Sequence, residues 1–172
     1  MNMLQGALLT LFPALVIIAA LTDVTSFTIP NRISLLILAV YVPASLLLGR
    51  PLTDMGMDAA VGFVALLAGM GMFAAGWIGG GDAKLFAACG LWLGLSGAPT
   101  FLLVTAISGG GLAVLLLNAR STVLKPYLAT APTWLAKLTT PGGDVPYGVA
   151  IAIGALAAFP HSNLMAAFHG RF

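Results

Sequence analysis

The chain has 172 residues, of which 60% are hydrophobic and 7% are charged, and its formal net charge is +2. A soluble domain carries about 25% charged residues, so this composition excludes a water-covered surface and predicts an integral membrane protein. The small, scattered charge excludes a nucleic-acid partner. The chain has no Glu and one cysteine, Cys89, which excludes a His-Glu-x-x-His motif, an internal disulfide and a cysteine-based zinc site. We therefore expect no metal and no other cofactor.

Six apolar segments are long enough to be candidate membrane helices, since a bilayer core needs about 20 apolar residues per helix. They lie at about 4–22, 33–49, 57–78, 82–97, 99–118 and 146–168. Their continuous apolar runs exclude the alternating pattern of a membrane β-barrel. The start lacks the basic region of a secretory signal peptide, so the first segment is expected to be retained. The sequence predicts one all-α polytopic domain, 1–172, with about six transmembrane helices.

Lys and Arg set the expected orientation, because cytoplasmic loops carry an excess of both. With the N-terminus outside, the inner side holds Arg32, Lys84, Arg120, Lys125 and Lys137, and the outer side holds Arg50 and Arg171. The segment from about 119 to 145 mixes Lys with aromatic residues, which is typical of the headgroup region. It is interpreted as an interfacial loop, with a surface that receives part of a substrate as the sharper alternative.

Two aspartates stand at the ends of apolar segments. Asp23 follows the first segment and Asp82 follows the third, so two crossings separate them and both emerge on the same, cytoplasmic face. Ionisable groups at membrane depth usually mark function. Helix dipoles favour the charged form at Asp82, which begins a helix, and disfavour it at Asp23, which ends one. Two such carboxyls can share the acid and base roles in peptide hydrolysis.

Glycines precede Asp82, and they allow another chain to approach closely. A purely structural role for Asp82 remains an alternative, since an Asp that begins a helix is also a common N-cap. A second Gly-Gly-Asp at 142–144 also falls on the inner side. Spacing alone does not choose between Asp82 and Asp144 as the partner of Asp23.

Three motifs resemble those of the type IV prepilin peptidase family. GGGDAKL at Gly79–Leu85 resembles the GxGD signature of intramembrane aspartic proteases. Asp23 followed by Ile29–Asn31 resembles the first motif of the family, and Val145–Gly148 is similar to a Pro-aromatic-Gly element near its last helix. The motifs occur in the expected order and cover the chain almost end to end. The resemblance is closest to the short branch that serves Flp-type, tight-adherence pili.

The resemblance implies an aspartic endopeptidase that removes the leader of prepilins at the cytoplasmic face of the bacterial inner membrane. Asp23 and Asp82 would be the catalytic pair, and Asp144, which matches no catalytic position, returns to the N-cap interpretation. The residues expected to shape the loop or hold substrate are Gly79, Gly81, Pro146, Tyr147 and Gly148. The implied partners are prepilins, whose own apolar helix stays in the membrane, together with lipid and the pilus assembly machinery.

Two features limit what the resemblance implies. Lys84 lies two positions after Asp82, and residues at i and i+2 do not share a helix face. It is expected to reach lipid phosphates rather than the partner carboxylate, with an accessory role left open. Larger family members carry an N-terminal extension with zinc-binding cysteines, associated with methylation. This chain begins directly at the first helix, so a protease without methyltransferase activity is expected.

Alternatives from other classes remain. A small proton-coupled transporter would use the two acids as a relay, but it predicts acids near mid-membrane. A non-catalytic pilus assembly factor is a second alternative. A serine intramembrane protease is disfavoured, because Ala106 replaces the first Gly of the loop around Ser108.

Overall fold

The protein is a bundle of helices, seen in a computed structural model that describes residues 3–120, 138, 140, 143 and 145–170. The α-helices are α1 Met3–Ser26, α2 Asn31–Leu47, α3 Leu52–Ala74, α4 Gly80–Ala119, α5 Tyr147–Ala158 and α6 Asn163–His169. A 3₁₀ turn, Phe159–His161, joins the last two. The described residues contain no strand, so the predicted all-α class is confirmed.

Four helical stretches are long and apolar enough to cross a membrane. They are α1, α3, α4 and the stretch Tyr147–His169, which contains α5 and α6. Helix α2 is apolar but shorter, at 17 residues. These helices make the chain a multi-pass membrane protein. The expected number of about six crossings is not confirmed by helix length, because two predicted segments lie within α4.

Helix α4 reverses direction at Gly94. Its backbone angles there, φ 59° and ψ −168°, are not helical. The rings of Phe86 and Phe101 stack with centroids 4.9 Å apart, although 15 residues of straight helix would separate them by about 22 Å. The halves of α4 before and after Gly94 therefore lie side by side. Gly94 forms the break between the two halves.

The core surrounds Trp92, which is fully buried in the first half of α4. Its ring stacks on Phe12 of α1, with centroids 4.8 Å apart. Its indole N–H donates to the carbonyl of Ile37 in α2 at 2.7 Å. The large ring fills the space between the helices, and the bond to Ile37 satisfies the only hydrogen-bond donor of the side chain. Trp92 thus fixes the first half of α4 against α1 and α2.

A buried polar network lies at the end of the bundle where α4 reverses. Asp58 of α3 forms an ion pair with Arg50 and accepts a hydrogen bond from the Tyr41 hydroxyl at 2.7 Å. Its other carboxylate oxygen accepts from the Asn163 amide at 3.0 Å, and Ser96 donates to Asn163 at 2.7 Å. A buried carboxylate with this many partners is a structural group. The network joins α2, α3, α4 and α6 beside Gly94.

The same network contains Arg50, one of the cations that the sequence places in an outer loop. Arg50, counted on the outer side, is buried and paired with Asp58 rather than facing lipid headgroups. Burial alone lowers the pKa of Arg50, but its hydrogen bond to Asp58 and the charges of Asp58 and Tyr41 raise it above the ordinary value. Of the other predicted loop cations, Lys125, Lys137 and Arg171 lie outside the described residues.

We expect Gly94→Ala to destabilise the protein. The left-handed backbone disfavours any side chain by roughly 1–2 kcal/mol. A Cβ at this position would also lie 2.4 Å from Asp58 Oδ1 and 2.6 Å from Asn163 Nδ2. Thermal unfolding in detergent micelles measures the change. The matched control is Gly111→Ala, where a Cβ meets nothing within 4 Å and Ala improves helix propensity. Equal unfolding midpoints for the two variants would contradict the assigned role of Gly94.

Removing one member of the buried ion pair has a separate expected result. Asp58→Asn leaves Arg50 charged, buried and without its counter-ion, which typically costs about 3–5 kcal/mol. Asp54→Asn is the control, since Asp54 is exposed on the same helix. Denaturation of both variants in the same micelles provides the comparison. A midpoint for Asp58→Asn that matches the control would show that the network does not hold this end together.

Candidate active site

Asp23 lies in the last turn of α1 and is buried. The helix ends just after it, where Phe27 adopts the left-handed conformation at φ 57° and its N–H donates to the carbonyl of Asp23 at 2.8 Å. Glycine usually occupies this position, since a side chain there costs free energy. Strained backbone of this kind is often found at functional sites. The turn at Phe27 directs the chain back across the end of the bundle towards Ile29.

Asp82 lies in the first turn of α4 and is buried as well. One carboxylate oxygen, Oδ2, accepts the N–H of Gly79 at 2.9 Å, which is the one bond of a capping box that a glycine N-cap can make. Gly79 is therefore the N-cap residue, and Asp82 occupies the third helical position rather than the cap itself. The other oxygen, Oδ1, is buried without a hydrogen-bond partner among the described residues. A buried carboxylate oxygen left without a donor is costly, so this atom is available to an external proton or donor.

The N-terminus of α5 brings the two aspartates together. The N–H of Gly148 donates to Oδ2 of Asp23 at 2.7 Å, across 125 residues of sequence. The same N–H also lies near Asp82. The two carboxyls are also near enough to interact electrostatically with each other. The two predicted acids therefore share one end of the bundle, beside the N-terminus of α5.

Close packing by two glycines holds this arrangement. A Cβ on Gly148 would lie 2.8 Å from both Asp23 Oδ2 and Ile29 Cδ1. A Cβ on Gly81 would lie 3.1 Å from Ile29 Cβ and 3.2 Å from its carbonyl oxygen. Ile29 is buried between them, so all three sequence motifs meet at this side chain. In the sequence Ile29 stands within a motif but carries no signal of its own role, because its contacts come from distant parts of the chain.

Lys84 joins two of the motifs without touching either acid. Its ammonium group donates to Oδ1 of Asn31 at 2.8 Å, and the side chain is exposed. From the sequence, Lys84 was expected to contact lipid phosphate rather than the partner carboxylate. Within the described chain its contact is the side chain of Asn31 at the start of α2.

The remaining predicted residues lie at the N-terminal end of α5. Pro146 is its N-cap and is buried. The ring of Tyr147 packs against Gly109 in the second half of α4, where a Cβ would lie 3.2 Å from Cε1. Asp144 and most of the predicted interfacial loop lie outside the described residues. Among residues that are described, no group of three His, Cys, Asp or Glu is placed to hold a metal.

The fold and the site together define a class: a multi-pass helical membrane protein with two buried aspartates at one end of the bundle. The profile of the type IV leader peptidase family matches residues 10–114, a range that includes both aspartates. The chain belongs to this family. It is 32% identical over 170 residues to a prepilin leader peptidase/N-methyltransferase of Bacillus subtilis (strain 168). The match covers 95% of this chain and 61% of that relative, so the chain spans about three fifths of the relative's length. No solved structure matches the chain.

The contacts around Gly148 lead to a test of the site's packing. We expect Gly148→Ala to destabilise the protein by about 1–3 kcal/mol, the usual range for overpacking, because the new Cβ would displace Asp23 or Ile29. Gly81→Ala is expected to have a smaller effect, since its neighbours lie 3.1–3.3 Å away. Gly71→Ala, with nothing within 4 Å, is the control. Thermal unfolding in micelles should rank the three in that order, and an unaffected Gly148→Ala would refute the packing described here.

Proposed function

We propose that this protein is an aspartic endopeptidase that removes the N-terminal leader from Flp-type prepilin subunits at the cytoplasmic face of the bacterial inner membrane. Asp23 and Asp82 are the catalytic pair. The observation that carries the proposal is the geometry around Gly148, whose single N–H lies beside both buried carboxyls. Membership of the type IV leader peptidase family supports the reaction type. The name of the B. subtilis relative supports prepilins as the substrate class.

The two carboxyls divide the acid and base roles. In the resting enzyme, Asp82 carries the negative charge, since it lies in the first turn of α4 near the N-terminus of α5, and both helix ends favour an anion. Asp23, in the last turn of α1, carries the shared proton. The pair titrates as one unit, because two close carboxyls cannot ionise independently.

Hydrolysis then proceeds with a positioned water molecule. Oδ1 of Asp82 has no partner within the described chain and takes a proton from the water, while Asp23 donates its proton to the carbonyl oxygen of the scissile bond. The tetrahedral gem-diol collapses when Asp82 passes its proton to the departing amine and Asp23 takes a proton back from a diol hydroxyl, so that the C–N bond breaks and both acids return to their starting protonation states. Gly79 holds Oδ2 of Asp82 still through its N–H. Proton transfer from the water therefore uses a carboxylate oxygen that has no donor among the described residues.

The rest of the candidate site positions the substrate. Gly79 and Gly81 shape the loop before α4, while Pro146, Tyr147 and Gly148 hold an extended backbone at the entrance of α5. Lys84 acts as an accessory residue, since it fixes Asn31 and thereby the loop that carries Ile29. A substrate anchored by its own apolar helix delivers its scissile bond at the depth of the acids, which supplies proximity before the chemistry begins.

The catalytic assignment is tested by removing each titratable proton without changing shape. We expect Asp23→Asn and Asp82→Asn each to lower the rate of prepilin cleavage by about 10²–10⁴-fold, the typical contribution of a general acid or base. The measurement is the conversion of a coexpressed Flp-type prepilin to its shortened form, quantified by mobility on gels.

Two substitutions serve as controls for this experiment. Asp54→Asn changes an exposed carboxyl at the opposite end of the bundle. Asp144→Asn changes the aspartate of the second Gly-Gly-Asp sequence, which matches no catalytic position of the family. Both should retain cleavage. Processing by Asp23→Asn or Asp82→Asn at the wild-type rate would eliminate the assignment, and failure of the wild type to cut any prepilin would eliminate the proposed function.

A further inference from the structure

A long apolar groove runs between α3 and the second half of α4. Its volume is about 730 Å³, and its wall includes Ala68 on α3, Ala106 and Gly110 on α4, and Tyr147 on α5. None of the twenty residues that line it carries a charge. We call it the α3–α4 groove.

The walls of the α3–α4 groove are suited to a helix. Eight of its twenty lining residues are Ala or Gly. Its floor is closed by Ala65 and Gly90, which are so close that a Cβ on Gly90 would lie 2.9 Å from that of Ala65. Inside a membrane, helices associate where small residues allow backbones to approach, since hydrophobicity alone gives no preference for a helix over lipid. This small-residue lining favours a helical occupant over disordered acyl chains.

The direction of the α3–α4 groove matches that of a membrane-spanning helix that begins at the acids. Along α3 it extends from Met57 to Met72, which is about 22 Å of helix. Its far end is at Leu95, beside the reversal of α4. Its near end is at Tyr147, and the next residue, Gly148, donates to Asp23. A helix of about four turns in the groove would therefore begin beside the catalytic pair.

A second groove on the other face of α3 differs in its chemistry. It has a volume of about 630 Å³ and is lined by Leu35, Phe63 and Leu91, with Asn31 and Lys84 at one end. The ammonium group of Lys84 gives this groove a cation at one end, whereas no residue that lines the α3–α4 groove is charged. It is accordingly less suited to close approach by an apolar helix, and the α3–α4 groove is the better candidate for one.

We propose that the α3–α4 groove is the docking surface for the apolar membrane helix of the prepilin. The residues that precede this helix pass Tyr147 and reach Asp23 and Asp82 in extended form. The inference rests on the proposed function and adds to it the surface that recognises the uncut subunit. It predicts that affinity depends on the membrane helix of the substrate, whereas the chemical step depends on the acids.

Two adjacent glycines on α4 provide a matched test. Gly110 and Gly111 are both exposed and helical, and a Cβ on either meets nothing within 4 Å, but only Gly110 lines the groove. We expect Gly110→Leu to raise KM for full-length prepilin by about tenfold or more, with kcat largely retained. This is the result when a substitution weakens binding of the substrate and of the transition state equally. Gly111→Leu should behave as wild type. Equal KM values for the two variants would overturn the proposal.

A photo-crosslinking experiment tests the docking directly, in membrane vesicles that contain the Asp82→Asn variant and full-length prepilin. A benzophenone side chain at Ala106, which lines the groove, should give a crosslink to prepilin. The same group at the neighbouring Ile107, which is 65% exposed but outside the groove, should not. Crosslinks to lipid alone, to a second copy of the chain, or to prepilin from Leu35 of the second groove would each overturn the proposal.

These outcomes remain separate from failure of the proposed function. If wild-type protein does not shorten prepilin, the peptidase assignment fails whatever the crosslinks show. If wild type cuts prepilin while Gly110→Leu and Gly111→Leu cut it equally well, the function stands and only the docking surface is wrong.

Discussion

The hydrogen bond from the backbone of Gly148 to the carboxylate of Asp23 is the contact on which the candidate site depends. It links the end of α1 to the start of α5 across 125 residues. Because the donor is a main-chain N–H at a helix N-terminus, its direction is set by the helix and not by a flexible side chain. The absence of a Cβ at Gly148 allows the approach, since a side chain would collide with the acceptor. The position of Asp23 beside Asp82 thus follows from backbone packing.

The two polar ends of the bundle contrast in how they satisfy buried charge. At the end where α4 reverses, both oxygens of Asp58 have donors, and Arg50 supplies the opposite charge. At the other end, Asp82 keeps one buried oxygen without a partner in the described chain, and its neighbouring acid adds like charge. A satisfied ion pair stabilises structure, whereas an unsatisfied pair of acids is retained where chemistry requires it. The contrast distinguishes the structural aspartate from the two that we propose as catalytic.

Close packing along α4 fixes the position of Asp82. Ala83 lies against Gly69 of α3, and about two turns further along α4 Gly90 lies against Ala65 of α3. Trp92 then fixes the same half-helix against α1 and α2, and Gly94 reverses the chain where the Asp58 network begins. The network at one end and the acids at the other are therefore connected by one rigid segment. The same packing leaves the α3–α4 groove open on the adjacent face.

Much of the fold and part of the candidate site could be predicted from the sequence, because they depend on composition and on topology. Apolar runs separated by polar residues specify membrane helices, and two crossings between Asp23 and Asp82 are enough to place both acids at one end. The sequence divides this region into two segments, at about 82–97 and 99–118, but it does not identify Gly94 as the break. The Asp58 network was not predictable either, since a glycine in an apolar run and an aspartate near a helix start have many ordinary explanations. The meeting of Ile29 with Gly81 and Gly148, and the free oxygen of Asp82, were decided only by tertiary structure, because they depend on ångström-scale contacts between segments far apart in the chain.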